Sequence, residues 1–150
     1  MSREVYNNSF TLLRSREGPM GELRFLTIPG APTPVGPFSH VVEVDGWAFV
    51  TGQMPTDPDD DTAPLPVGIE AQTRRVLDNL GLVLQGAGLH FEHVVAVRAY
   101  LTNFERDYAP MNDVYRTYFS EGRLPARTCV GVTALARNAL VEIDFILRQP

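Results

Sequence analysis

The sequence predicts an α+β sandwich: about six mostly antiparallel strands with two helices on one face. Three observations carry that expectation. Short apolar segments rich in Val, Ile and Phe recur along the chain, and helical periodicity occurs in only two places. Those two helices lie between strands, in the order β-β-β-α-β-α-β-β. The 150 residues suit one domain, read here as residues 21–150 with an N-terminal extension over 1–20. A chain of this length buries roughly 68–70% of its unfolded surface, enough for a real core.

Residues 1–20 mix polar and apolar side chains without a period, and Gly18-Pro19 separates them from the first strand segment. Leu23 to Ile28 reads as that strand. Pro29-Gly30 and Pro32 to Pro37 form a kinked connection, too rich in proline for a helix or a ladder. Ser39–Val44 and Trp47–Thr51 read as two strands joined at Asp45-Gly46, a strong hairpin signal. Pro55 to Pro66 is a loop carrying Asp57, Asp59, Asp60 and Asp61. It lacks the ligand spacing and closing glutamate of an EF-hand, so turn chemistry in solvent accounts for it better than calcium.

The 3-and-4 spacing of Ile69, Val76, Leu77, Leu80, Val83, Leu84 and Ala87 predicts a helix over 68–86, ended by Gly86 and Gly88. His93 to Leu101 is valine-rich and reads as a strand. Pro110 is expected to open the second helix, since proline favours the first turn. Its stripe of Met111, Val114, Tyr115, Tyr118 and Phe119 suits core packing better than a cofactor site. Two strands, 127–133 and 140–147, finish the chain. In the last one Val141, Ile143, Phe145 and Leu147 share one face, while Leu140, Glu142, Asp144 and Ile146 share the other. Two helices do not cover both faces of such a sheet, so the mixed face is expected to meet solvent or another subunit.

The formal net charge is −5 and the pI about 5.1, with no basic stripe for nucleic acid. Cys129 is the only cysteine, which excludes an internal disulfide and makes a reducing, cytoplasmic setting the expectation. No apolar run approaches the ~20 residues of a membrane span, and no secretory signal is visible at the start.

The chemistry-bearing residues lie near the C-terminus. Arg127 and Glu142 place a cation and a carboxylate on two otherwise apolar strand segments, where a charge is costly unless it is paired, exposed or used. A guanidinium presents a planar fork that suits a carboxylate ligand, and a glutamate holds or activates water. By strand parity Arg127, Cys129 and Gly131 share a face. The hairpin register decides whether Glu142 joins them or faces away. The plain alternative is an Arg127–Glu142 cross-strand salt bridge. Cys129 has no histidine at a spacing that marks it as a nucleophile, although His40, His90 and His93 are present, so it reads as a small packing residue. His90-x-x-His93 lacks further ligands for a metal, and no phosphate-binding glycine loop occurs.

Several segments, in order, resemble the Rid family, also called the YjgF/YER057c/UK114 family and earlier labelled endoribonuclease L-PSP or translation inhibitor. They are Gly36-Pro37-Phe38, Val50-Thr51-Gly52-Gln53-Met54-Pro55, the Asn79 helix ending in Gly86-Ala87-Gly88-Leu89, Met111-Asn112-x-x-Tyr115-x-x-Tyr118-Phe119, Pro125-Ala126-Arg127-Thr128-Cys129-Val130 and Val141-Glu142-Ile143. The resemblance spans about Ile28 to Arg148. It implies a chorismate-mutase-like fold and a homotrimer with an inner barrel of sheets and clefts between subunits. It also implies cofactor-free hydrolysis of 2-iminobutanoate, 2-iminopropanoate or 2-aminoacrylate to 2-keto acids and ammonia. By the same resemblance Arg127 binds the substrate carboxylate and Glu142 positions the attacking water. The Cys129 backbone carbonyl meets that water or the leaving nitrogen, and Asn112 and Thr51 line the cleft. Phe38 stands where the best-studied members have tyrosine, which removes a hydroxyl.

The chemistry fits those residues: a bidentate arginine fixes the carboxylate and a held water attacks an oriented C=N. Other functions compete. One is a binding module for small carboxylates, or a shield for a client protein, without turnover; Phe38 favours it, and Arg127 with Glu142 opposes it. Another is a deaminase for a different enamine. RNA cleavage is disfavoured by the acidic composition.

Overall fold

The computed structural model describes residues 19–150, so the expected extension at 1–20 falls almost wholly outside the described residues. The sheet is built from β1 (Arg24–Leu26), β2 (Val41–Val44), β3 (Trp47–Gln53), β4 (Val94–Leu101), β5 (Ala126–Gly131) and β6 (Val141–Arg148). The two α-helices are α1 (Ile69–Ala87) and α2 (Phe104–Tyr115). The strand order is β1-β2-β3-β6-β4-β5, antiparallel throughout except for β4 with β5. The α+β class with six mostly antiparallel strands is therefore as expected.

The hairpin at Asp45-Gly46 forms because both residues take left-handed backbone (φ 48° and 77°), the geometry that matches strand twist. Helix α1 ends where Gly88, at φ 71°, returns its N–H to the carbonyls of Leu84 and Gln85. Its apolar stripe, including Val76, Leu77, Leu80, Val83 and Leu84, packs on one face of the sheet against Val50, Ile143, Phe145 and Leu147. Each such side chain, fully buried, contributes about 1.5–3 kcal/mol from apolar transfer. His40, fully buried beneath the Pro/Gly-rich connection, ties that segment down. Its Nδ1 accepts from the Ile28 N–H at 2.7 Å, which leaves Nε2 to donate to the Pro32 carbonyl at 2.8 Å.

Two expectations are corrected. The second helix begins at Phe104, not at Pro110, which lies inside it. Asn103 caps it by accepting from the Arg106 N–H at 3.2 Å, and Glu105 and Asp107 sit in the first turn, where the helix dipole favours negative charge. The proline had masked a regular start six residues earlier, and Tyr108 and Phe104 stack on each other at one helical turn's spacing. The second correction concerns the last two strands. They do not form a hairpin, because β4 lies between β5 and β6. Helix α2 carries the chain from β4 to a parallel β5, since parallel neighbours need a crossover.

Both helices cover one face. The other face is open, as expected from two helices, and exposes Phe25, Trp47, Phe49 and Val130, each at least 38% exposed. The acidic loop is explained by turns: Asp57 accepts from the N–H groups of Asp59 and Asp60, and Asp60 caps Thr62. No helix among the described residues is long and apolar enough to cross a membrane.

Candidate active site

Arg127 lies on β5, an edge strand, opposite Val97 of β4 and therefore on the helix side of the sheet. Its guanidinium carbon sits 4.7 Å from the Tyr115 ring centre and 5.8 Å from that of Tyr108, both on α2. The Tyr108 hydroxyl adds a long contact at 3.5 Å. None of the ion pairs among the described residues involves Arg127. The cation is half-buried and oriented on two aromatic rings, yet no carboxylate neutralises it.

It opens onto a cavity of about 320 Å³ lined by Asn112, Tyr115, Arg116, Leu124, Pro125 and Arg127. Two polar atoms in this wall are buried without a hydrogen-bond partner: Asn112 Oδ1 and the Tyr115 hydroxyl. Burial pushes the Tyr115 phenol up to about 12, which outweighs the opposing pull of the Arg127 charge, so the hydroxyl stays a neutral donor. Around the cavity thus lie a cation without a carboxylate partner and two buried polar atoms, a donor and an acceptor, without a hydrogen-bond partner. That set complements a small ligand with a carboxylate and an N–H.

Cys129 shares Arg127's face two residues on and packs against the core. Burial pushes its thiol up and the Arg127 charge only partly offsets this, so it is not a ready thiolate. The packing role expected of its side chain stands.

Glu142 is elsewhere. It pairs with Tyr100 of β4, while Arg127 pairs with Val97, and that parity puts Glu142 on the open face. The Arg127–Glu142 salt bridge considered from sequence is therefore absent, because the two side chains leave opposite faces with β4 between their strands. Glu142 lies over the backbone of Gly52, where a Cβ would collide with its carboxyl group. This is the irregular stretch of β3 between Val50 and Gln53, where pairing with β6 shifts register. Burial pushes the Glu142 carboxyl above its ordinary value, and the charge of Asp144 adds to the rise. Asp144 itself is held by the Arg98 side chain through two bonds of 2.9 and 3.0 Å.

The six residues singled out from sequence thus fall into two groups. Arg127, Cys129 and Asn112 are on the helix side around β5 and α2. Thr51 precedes Gly52 beside Glu142, and its N–H bonds the His40 carbonyl, which links it to the segment carrying Phe38. Phe38 is 41% exposed, and neither it nor Thr51 lines the Arg127 cavity.

Sequence reasoning missed Tyr115 and Arg116 as residues that line this cavity. Tyr115 belongs to the apolar stripe and is buried there, yet it also lines the cavity and carries a buried hydroxyl without a partner. Because that hydroxyl is buried and unpaired, Tyr115→Phe is expected to leave stability unchanged or raise it by up to about 1–2 kcal/mol, seen as a higher urea midpoint at constant slope. The same change should weaken binding of a small keto acid several-fold by titration calorimetry. A variant that loses stability instead would show that the hydroxyl is satisfied in the free protein.

Comparisons with known proteins agree with this architecture. The family model described as Endoribonuclease L-PSP matches residues 29–149. A RutC family protein of Synechocystis is 38% identical over 128 residues, covering 85% of this chain and 98% of that protein. A mouse protein named 2-iminobutanoate/2-iminopropanoate deaminase is 38% identical over 119 residues, covering 79% of this chain and 86% of that one. Among solved structures, a Rid family protein of Yersinia pestis superposes with TM-score 0.78 at 35% identity, covering 85% of this chain and 99% of the other. The TdcF protein of E. coli, solved with bound serine, gives TM-score 0.77 at 28% identity, covering 85% and 99%.

Proposed function

From the premise that the chain belongs to the endoribonuclease L-PSP, or Rid, family, we propose that it hydrolyses 2-imino acids, or their enamine tautomers, to 2-keto acids and ammonia. The observation that carries this is Arg127: an oriented, half-buried cation without a carboxylate partner, facing a cavity with an unpaired donor and acceptor. The name of the mouse relative and the serine bound to the E. coli neighbour support the same ligand class, a small acid with nitrogen at carbon 2.

In this reading Arg127 takes the carboxylate by two parallel hydrogen bonds, and Asn112 Oδ1 accepts from the imine N–H. Water adds to carbon 2. Its proton passes through the Glu142 carboxylate to nitrogen, giving a carbinolamine; Glu142 then carries the hydroxyl proton to the amino nitrogen, the C–N bond breaks as C=O forms, and ammonia leaves with the keto acid behind. A carboxylate whose affinity for protons is raised by burial is a better base for that transfer. No cofactor enters the reaction.

Glu142 faces away from Arg127 within one chain, so this mechanism needs a second copy. We propose a homotrimer in which the β5 edge of each protomer, bearing Arg127, meets the open sheet face of the next, bearing Glu142. The exposed Phe25, Trp47, Phe49 and Val130 on that face favour such burial.

The test is a coupled assay in which a dehydratase or an amino-acid oxidase generates 2-iminobutanoate in situ. The expected result is faster release of 2-ketobutanoate in the presence of the protein. A folded protein that gives no acceleration overturns the reading in favour of a carboxylate-binding module without turnover.

A further inference from the structure

The Arg127 cavity contains a second cation. Arg116, on the turn that continues α2, lines it together with Arg127, and no acidic residue does so. Arg116 has a single ion-pair partner among the described residues, Asp113 at 3.6 Å. That pair is 67% and 77% exposed, the kind worth between nothing and about 1 kcal/mol, so the guanidinium is available to a ligand. Its Nε is steadied by the Asn112 carbonyl at 3.4 Å.

A cleft of about 320 Å³ has room for a five-carbon imino acid ending in a second carboxylate. The apolar walls at Leu124 and Pro125 suit the methylenes between the two charges.

We infer that this site is built for dianionic substrates: 2-imino dicarboxylic acids whose first carboxylate meets Arg127 and whose second meets Arg116. The inference rests on the proposed imine hydrolysis for its chemistry but not for its binding preference. The two are tested separately.

Binding of 2-oxoglutarate and of 2-oxopentanoate, which share a chain length and differ by one carboxylate, is measured by calorimetry on the full chain and on Arg116→Gln. Turnover is measured in parallel with the matching imines, generated by oxidases from glutamate and from norvaline. The expected result is at least tenfold tighter binding of the diacid. Arg116→Gln should bring the ratio near one, and in turnover the change should fall mainly on KM for 2-iminoglutarate. Equal binding of the two acids, or a diacid preference that survives Arg116→Gln, overturns the inference. A diacid preference that depends on Arg116 in a protein that hydrolyses neither imine upholds the dianion site and removes the hydrolase reading.

Discussion

Arg127→Ala is expected to lower kcat/KM for 2-iminobutanoate by roughly 30-fold to several thousand-fold while the protein stays folded. The range comes from the cost of truncating one partner of a desolvated charge pair, about 2–5 kcal/mol, at about 1.4 kcal/mol per factor of ten. The fold survives because Arg127 holds no ion pair among the described residues. What it gives up locally is its contact over Tyr115, worth about 0.5–1 kcal/mol at a partly exposed position. Arg127→Lys separates charge from shape. An ammonium keeps the attraction but not the planar fork, so an intermediate loss is expected, carried by kcat as the imine is held less well. Full turnover in Arg127→Ala, with unfolding curves like those of the parent, would remove Arg127 from the mechanism.

What could be read from the sequence divides along a physical line. Features decided by near neighbours were legible: the Asp45-Gly46 turn, the glycine stop of α1 at Gly88, and the alternation that buries Val141, Ile143, Phe145 and Leu147. Arg127 and Glu142 stood out because charges are rare in such strands. Which strands pair was not legible. Residues 127–133 and 140–147 are adjacent in sequence, and a hairpin is the least costly connection. The chain instead inserts β4 between them, because a crossover through α2 buries that helix on the same side as α1. That one topological fact moves Glu142 to the other face and separates it from Arg127 within one chain. Pro110 misled for a related reason: its preference for a first turn is statistical, while Asn103 makes an actual capping bond. Tyr115 shows a limit of a different kind, since one side chain belongs both to the core and to the wall of the cavity.

The role proposed for Glu142 gives the second large effect. Glu142→Gln keeps the size and polarity of the side chain but not the base. Loss of a positioned general base typically costs about 10²- to 10⁴-fold in rate, and it should fall on kcat, with keto-acid binding retained through Arg127. Stability should move the other way. Burial holds the folded-state pKa of Glu142 above its ordinary value, so folding favours the protonated form. Stability from this group is present below the unfolded value and is lost as pH rises through the raised folded one. At neutral pH the ionised carboxylate is therefore a burden on the fold, and Glu142→Gln relieves it, giving a variant that is slower but no less stable. The same shift places the acid limb of kcat in the parent above the ordinary glutamate range, with activity falling as pH drops through it, and Glu142→Gln should flatten that limb.

Because Arg127 and Glu142 leave opposite faces of one chain, the two defective variants should complement each other in a shared assembly. If Arg127→Ala and Glu142→Gln chains are unfolded together and refolded at equal concentration, random association gives each interface an intact arginine from one copy and an intact glutamate from the next about a quarter of the time. Activity should recover to about that fraction of the parent, from two preparations that are each nearly inactive. Mixed assemblies of confirmed composition that recover nothing would mean that Arg127 and Glu142 do not act on one substrate, and the role given to Glu142 would fall.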